Sequence, residues 1–171
     1  SDDEVSVRPY WKLDYPDADD PGALDNRPEA DIAEELRALL TDATRIRLRS
    51  DVPVGAYLSG GLDSSIIAAM VHEIEPERLR TFSVTFETPE FDESAFQFEM
   101  VRALGTDHMA VPCRREDIAR LFPEVVRHAE RPILRTAPAP LMALSDLVHD
   151  NDFKVVLTGE GADEVFAGYH W

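Results

Sequence analysis

The chain has 171 residues, 44% of them hydrophobic and 30% charged, with a formal net charge of −17. This length fits one α/β domain with a real core and excludes two large domains. The acidic balance argues against a nucleic-acid or anionic-membrane partner, because such partners need clustered Lys and Arg. No stretch is apolar enough to cross a bilayer, and a single cysteine, Cys113, leaves no internal disulfide, so we expect a cytoplasmic protein.

Helical and strand patterns alternate along the chain. Residues 1–28 hold four prolines among many aspartates and predict a linker or wrapping arm, with the folded domain at residues 29–171. Apolar residues at helical spacing predict an amphipathic helix from Glu29 to about Arg49. The elements predicted after it are strand Val54–Leu58, helix Leu62–Glu73, strand Arg80–Phe86, helix Glu93–Leu104, strand His108–Pro112, helices Glu116–His128 and Pro140–His149, and strand Phe153–Thr158. This alternation predicts an α/β fold with a doubly wound parallel sheet.

Two glycine-containing turns directly follow predicted strands, one after Leu58 and the other after Thr158. The carboxyl ends of parallel strands meet at one edge of a sheet, and ligands of such sheets bind there. We therefore expect both turns to lie at one ligand site.

The first turn, SGGLDSS, runs from Ser59 to Ser65 between an apolar strand and a helix. Its free amides and the positive end of the helix dipole predict an anion site, and Gly60 and Gly61 let phosphate oxygens approach the backbone. The serine hydroxyls add donors without formal charge. A serine-rich helix cap with a tight glycine turn is the alternative explanation. The turn matches neither GxxxxGK[ST] nor GxGxxG.

The second turn, TGEGADE, runs from Thr158 to Glu164 and places three carboxylates beside two glycines. Carboxylates this close repel one another unless a cation lies between them, which favours a metal ion. For Glu164 the alternative is an acidic helix start that interacts favourably with the helix dipole.

Both turns resemble known family segments. SGGLDSS resembles the pyrophosphate loop of the N-type ATP pyrophosphatase (PP-loop) superfamily, and the second turn is similar to the SGEGADE(L/V)FGGY segment of asparagine synthetases. Thr158 and Ala167 stand where that family usually has serine and glycine. The resemblance implies a sheet of the adenine-nucleotide α-hydrolase-like type, incomplete at its C-terminal end.

The same resemblance implies ATP and Mg²⁺ as cofactors and assigns residues to them. The expected nucleotide-binding residues are Leu58, Ser59, Gly60, Gly61, Asp63, Ser64, Ser65, Val84, Thr158 and Gly159. Asp63 and Asp163 would hold Mg²⁺ on the pyrophosphate, and Glu160 would support formation of a β-aspartyl-adenylate, so these three are the expected catalytic residues. For Leu58 and Val84 a plain core role is the alternative.

The implied activity is that of an ATP-dependent amide ligase. The β-carboxylate of aspartate would attack the α-phosphorus of ATP, pyrophosphate would leave, and ammonia would displace AMP to give asparagine. The family's N-terminal cysteine nucleophile and its later lysine have no counterpart in this sequence, so we expect a fragment whose partner is a glutaminase domain; a homodimer is left open. The alternatives are a β-lactam or macrolactam synthetase-like ligase and a truncated nucleotide-binding module without turnover.

Overall fold

A computed structural model describes residues 6–13, 17, 19, 25–77, 79–166 and 168. The chain forms two compact units, Ser1–Arg37 and Ala38–Trp171. In the first unit the Arg27 guanidinium donates to Asp25 at 2.7 Å and to Glu35 at 2.6 Å. The predicted arm over residues 1–28 falls partly outside the described residues, and the boundary after residue 28 stays a prediction.

The helices and strands alternate as the sequence predicts. In chain order they are α1 (Glu29–Arg47), β1 (Val54–Tyr57), α2 (Leu62–Ile74), β2 (Arg80–Phe86), α3 (Ser94–Leu104), β3 (Asp107–Cys113), α4 (Arg115–Ala129), α5 (Pro138–Asp150), β4 (Val155–Leu157) and α6 (Ala162–Phe166). Among the described helices, none combines the length and apolarity needed to span a bilayer.

The four strands form one parallel sheet in the order β3-β2-β1-β4. The chain moves outward from β1 to β2 and β3, and it then returns to the other side of β1 with β4. Val54 pairs with Val155 and Ala56 with Leu157, so two strands far apart in sequence are direct neighbours. The junction of β1 and β4 is the topological switch point, where doubly wound sheets bind their ligands.

Helices cover both faces of the sheet because successive residues of a strand point to opposite sides. On one face, α5 packs against β2 and β3, in a core that contains Tyr57, Phe82, Met109, Val111, Leu144, Val148, Phe153 and Val156. On the other face, α2 packs against the sheet through Ala56, Ile67, Val71, Leu79 and Leu157. The neighbours Ala56 and Tyr57 therefore serve different cores. This arrangement confirms the predicted doubly wound sheet.

The differences from the predicted elements lie at their ends. Strand β4 is shorter than predicted, because Phe153 packs in the core before the strand pairing begins and Thr158 already belongs to the turn. The second turn also contains the short helix α6, which starts at Ala162. The apolar spacing of α1 correctly predicts a helix, yet Leu39 and Ile46 lie exposed, so it does not predict burial of that face.

Candidate functional site at the β1–β4 edge

Main-chain and side-chain bonds hold together the carboxyl ends of β1 and β2. The Leu58 amide donates to the Phe82 carbonyl at 2.9 Å, and the buried Ser83 hydroxyl donates to the Leu58 carbonyl. Leu58 is only 1% exposed, although its backbone already lies beyond β1. The first turn therefore starts from a fixed position.

The first turn is organised by its own serines. The Ser59 amide donates to Ser64 Oγ at 3.1 Å, the two hydroxyl oxygens lie 2.8 Å apart, and the Gly61 amide donates to Ser59 Oγ at 3.2 Å. The hydroxyls of Ser64 and Ser65 both donate to the Gly61 carbonyl, at 3.2 and 2.7 Å. In this structure the serine hydroxyls shape the turn, which leaves the helix amides as its outward donors.

Helix α2 points its first amides toward the second turn. The first amide that bonds back to the turn is that of Ser65, which donates to the Gly61 carbonyl at 3.2 Å. The amides of Leu62, Asp63 and Ser64 precede it, where a helix offers no internal acceptor. Amides without an internal acceptor at the positive end of a helix dipole favour an anion, and Asp63 and Ser64 line the cavity described below.

Glycines allow two close approaches at this turn. Gly60 has φ +92°, and a Cβ there would lie 3.0 Å from the Glu93 carbonyl oxygen and 3.1 Å from Phe96 Cβ, so it brings the turn against α3. A Cβ on Gly159 would lie 2.7 Å from the Ser64 nitrogen and 2.8 Å from Asp63 Cβ. The second turn therefore rests directly on the amino end of α2, and only glycine fits at that contact.

A cavity of about 360 Å³ opens between the two turns; we call it the rim cavity. Its volume lies in the usual range for small-molecule sites. Five carboxylate side chains are among the described residues that line it, and no Lys or Arg side chain is; the five are Asp63, Glu93, Glu160, Asp163 and Glu164. An anion bound here therefore depends on backbone amides and on a cation that it brings with it.

Most of the predicted site residues come together at the rim cavity. The lining includes Leu58, Ser59, Gly61, Asp63, Ser64, Val84, Thr158, Gly159, Glu160 and Asp163. Gly60 and Ser65 do not line it: the glycine faces α3, and the Ser65 hydroxyl bonds to the Gly61 carbonyl. Ala167 lies outside the described residues.

The described carboxylates at the rim cavity do not by themselves make a complete metal site. The described residues contain no group of three or more His, Cys, Asp or Glu side chains arranged to hold a metal ion. Asp63 and Asp163 nevertheless line the same cavity, and one or two carboxylates suffice for Mg²⁺ when phosphate oxygens and waters complete its shell. The donor set therefore fits a metal that arrives with a polyphosphate better than one held by protein alone.

Several residues at this edge were not predicted from the sequence. Gln97 and Ser83 are buried polar residues beside the first turn, and Asp92 fixes the start of α3 by accepting from the Ser94 hydroxyl at 2.8 Å. That hydrogen bond is the main reason why the pKa of Asp92 lies below its usual value. Gln97 had a sequence signal, since it shares one face of α3 with Val101 and Leu104 at helical spacing.

Comparison with known proteins identifies the family. Residues 35–171 match asparagine synthase. This chain belongs to the asparagine synthase family. The resemblance drawn from the two turns is thus confirmed.

Members of the family and related proteins are longer than this chain. It is 39% identical to amidase chyE of Penicillium rubens over 95% of its own length and 26% of that protein. It is also 39% identical to amidase chry2 of Gibberella zeae, covering 94% of this chain and 26% of that one. Glutamine-hydrolyzing asparagine synthetase 1 of Bacillus subtilis is 33% identical over 99% of this chain and 25% of the synthetase. The chain thus spans about a quarter of the length of these relatives.

Solved structures show the same fold. A glutamine-dependent NAD⁺ synthetase from Acinetobacter baumannii in complex with ADP matches with a TM-score of 0.60 and 23% identity, covering 86% of this chain and 29% of that one. An NH3-dependent NAD synthetase from Campylobacter jejuni matches with a TM-score of 0.55 and 15% identity, covering 80% and 60%. At these identities the likeness shows the fold alone, which is the predicted adenine-nucleotide α-hydrolase-like type.

Proposed function

We propose that this chain binds ATP with Mg²⁺ at the rim cavity and activates a carboxylate by adenylation, as the nucleotide-handling part of an amide ligase. The observation that carries the proposal is the contact of the two turns at Gly159, beside Asp63 and the Ser64 amide at the amino end of α2. That contact creates one cavity that is lined by the amino end of α2 and by carboxylates of both turns. A polyphosphate with a bound divalent cation matches this combination of amides and carboxylates.

The proposed roles follow from the positions of the groups. The amides of Leu62, Asp63 and Ser64 hold the pyrophosphate portion of ATP, since they are directed donors that need no reorganisation. Asp63 and Asp163 hold Mg²⁺, which neutralises phosphate charge when bound. Leu58 and Val84, at the ends of β1 and β2, lie against the nucleoside.

The proposed substrate is aspartate, with ammonia as the amine. An oxygen of the aspartate β-carboxylate bonds to the α-phosphorus while the bond from that phosphorus to the bridging oxygen breaks, giving β-aspartyl-adenylate and pyrophosphate. Ammonia then attacks the acyl carbon, loses a proton, and releases AMP with asparagine. Glu160 lines the cavity close to this chemistry and supports formation of the adenylate. Ammonia would come from a glutaminase domain of the whole protein.

The test is single-turnover release of pyrophosphate from MgATP in the presence of aspartate, together with calorimetric MgATP binding. Asp63→Ala should abolish pyrophosphate release while the far-ultraviolet circular dichroism stays unchanged, since the side chain lies at the cavity and not in the core. Asp150→Ala removes a carboxylate from an exposed position outside the cavity lining and is the matched control. Pyrophosphate release by Asp63→Ala at the unaltered rate would contradict the assigned role.

A second candidate keeps the adenylation and changes the carboxylate. It is favoured by the 39% identity to two fungal proteins named amidases, which exceeds the 33% identity to the Bacillus subtilis synthetase. A β-lactam or macrolactam synthetase-like ligase is one form of this candidate. Pyrophosphate release measured across a panel of carboxylic acids separates the two: a response to aspartate alone supports asparagine formation, and a response only to other acids supports the second candidate.

A further inference from the structure

Gln97 is a buried amide that joins the two main-chain segments of the rim cavity. It is only 2% exposed and lies on the side of α3 that faces the sheet, where it forms part of the cavity wall. Its Nε2 donates to the Ser59 carbonyl at 3.2 Å and to the Val84 carbonyl at 3.1 Å. One side chain thus connects the first residue of the first turn, Ser59, with Val84 near the carboxyl end of β2.

The other half of the same amide has no partner. Gln97 Oε1 is buried, and no donor among the described residues reaches it. A buried acceptor without a hydrogen bond costs free energy, and an apolar side chain of the same length would avoid that cost. Packing alone therefore explains this glutamine poorly, and the two bonds from its nitrogen are the feature that only an amide provides.

We infer that Gln97 is a positioning residue for the nucleotide, and that it holds the phosphate-binding turn in register with the β2 end that lines the nucleoside part of the cavity. The inference rests on the proposed function. Gln97 acts through the carbonyls of Ser59 and Val84, so it is not a catalytic residue.

This role predicts a particular pattern of binding. A ligand that spans both segments gains affinity when their relative position is fixed before binding, since less ordering remains to be done. A ligand that touches only one segment gains little from their register. Loss of the Gln97 amide should therefore reduce the affinity for ATP by a larger factor than the product of the factors for adenosine and pyrophosphate.

The test is calorimetric binding of MgATP, adenosine and Mg-pyrophosphate to the 171-residue chain and to Gln97→Met. Loss of the register that these two bonds hold should weaken MgATP binding about tenfold, and the binding of each smaller ligand by less than about twofold. The melting temperature should fall by a few degrees, because methionine fills the same space but leaves the Ser59 and Val84 carbonyls without this donor. Val101→Ala, one turn further along α3, is the structural control. It should lower the melting temperature, but the affinity for MgATP should not fall more than the affinities for the smaller ligands.

Gln97→Glu provides a second variant of nearly the same shape, whose carboxyl group can donate to at most one of the two carbonyls even when it is protonated. The inference would be overturned if, in both variants, the factor by which MgATP affinity falls merely equals the product of the factors for adenosine and for Mg-pyrophosphate. Unfolding of both variants would assign Gln97 to stability and would overturn it as well. If the unaltered chain fails to bind MgATP, the proposed function falls together with the inference; if it binds and the variants bind equally well, only the inference falls.

Discussion

Replacing Gly159 with alanine tests directly whether contact between the two turns makes the site. The added Cβ would lie 2.7 Å from the Ser64 nitrogen and 2.9 Å from the Asp63 carbonyl carbon, and both are backbone atoms that cannot rotate away. Restoring an ordinary contact of 3.4 Å moves the second turn from the amino end of α2 by about 0.7 Å. A displacement near 1 Å costs about 100-fold in rate when reacting groups must be aligned, and overpacking of this kind costs about 1–3 kcal/mol in unfolding free energy.

The assay is single-turnover pyrophosphate release with MgATP and aspartate, with the free energy of unfolding measured in urea. Gly105→Ala is the matched control, because Gly105 has φ +65° with nothing within 4 Å of the added Cβ. It should lower stability by about 1 kcal/mol through backbone strain and leave pyrophosphate release unchanged. If Gly159→Ala kept both the stability and the activity of the unaltered chain, the contact at Gly159 would not define the site.

Two further changes probe the turn and the sheet. Ser64→Ala removes the acceptor of the Ser59 amide and should lower the free energy of unfolding in urea by about 1–2 kcal/mol. Ser65→Ala should lower it by less, because the Ser65 hydroxyl only supplements the bond from the Ser65 amide to the Gly61 carbonyl. Equal losses in the two variants would contradict this difference. Burial lowers the pKa of His108 below 6.5, so the unfolded chain binds the proton more readily and the stability due to the neutral ring is lost as pH falls below 6.5. His108→Gln should therefore flatten the change in unfolding free energy between about pH 8 and about pH 5, and an unchanged slope would refute this.

The sequence predicts the elements of this fold well because each has a strong local signal. The β2 strand is bounded as predicted, from Arg80 to Phe86, since an alternating apolar run lies between turn residues. The limits of β4 are less predictable, because pairing with β1 is a tertiary property that leaves only Val155–Leu157 in the ladder. The exposure of Leu39 on α1 also depends on tertiary structure. Apolar periodicity predicts which side chains share a face of a helix, but it does not predict whether another element packs against that face.

The site is predictable where motifs bring their own geometry. The turn at Ser59–Ser65 reads directly from its glycines and serines, and the strand order then places it beside Thr158. The role of Gly159 as a contact point could not be read in this way, because it depends on the distance between segments remote in sequence. Helical spacing indicates that Gln97 lies on a buried face, but its bonds could not be predicted, because their acceptors, Ser59 and Val84, follow or belong to two different strands.

The pairing of β1 with β4 has a consequence for how the protein acquires its site. The paired residues lie about 100 positions apart, so closing that loop costs chain entropy that contacts close in sequence do not require. The β1–α2–β2 segment supplies the first turn but not the second, because the second turn follows β4. The proposed nucleotide site is complete only after β4 pairs with β1, so under that proposal ATP binding is possible only late in folding.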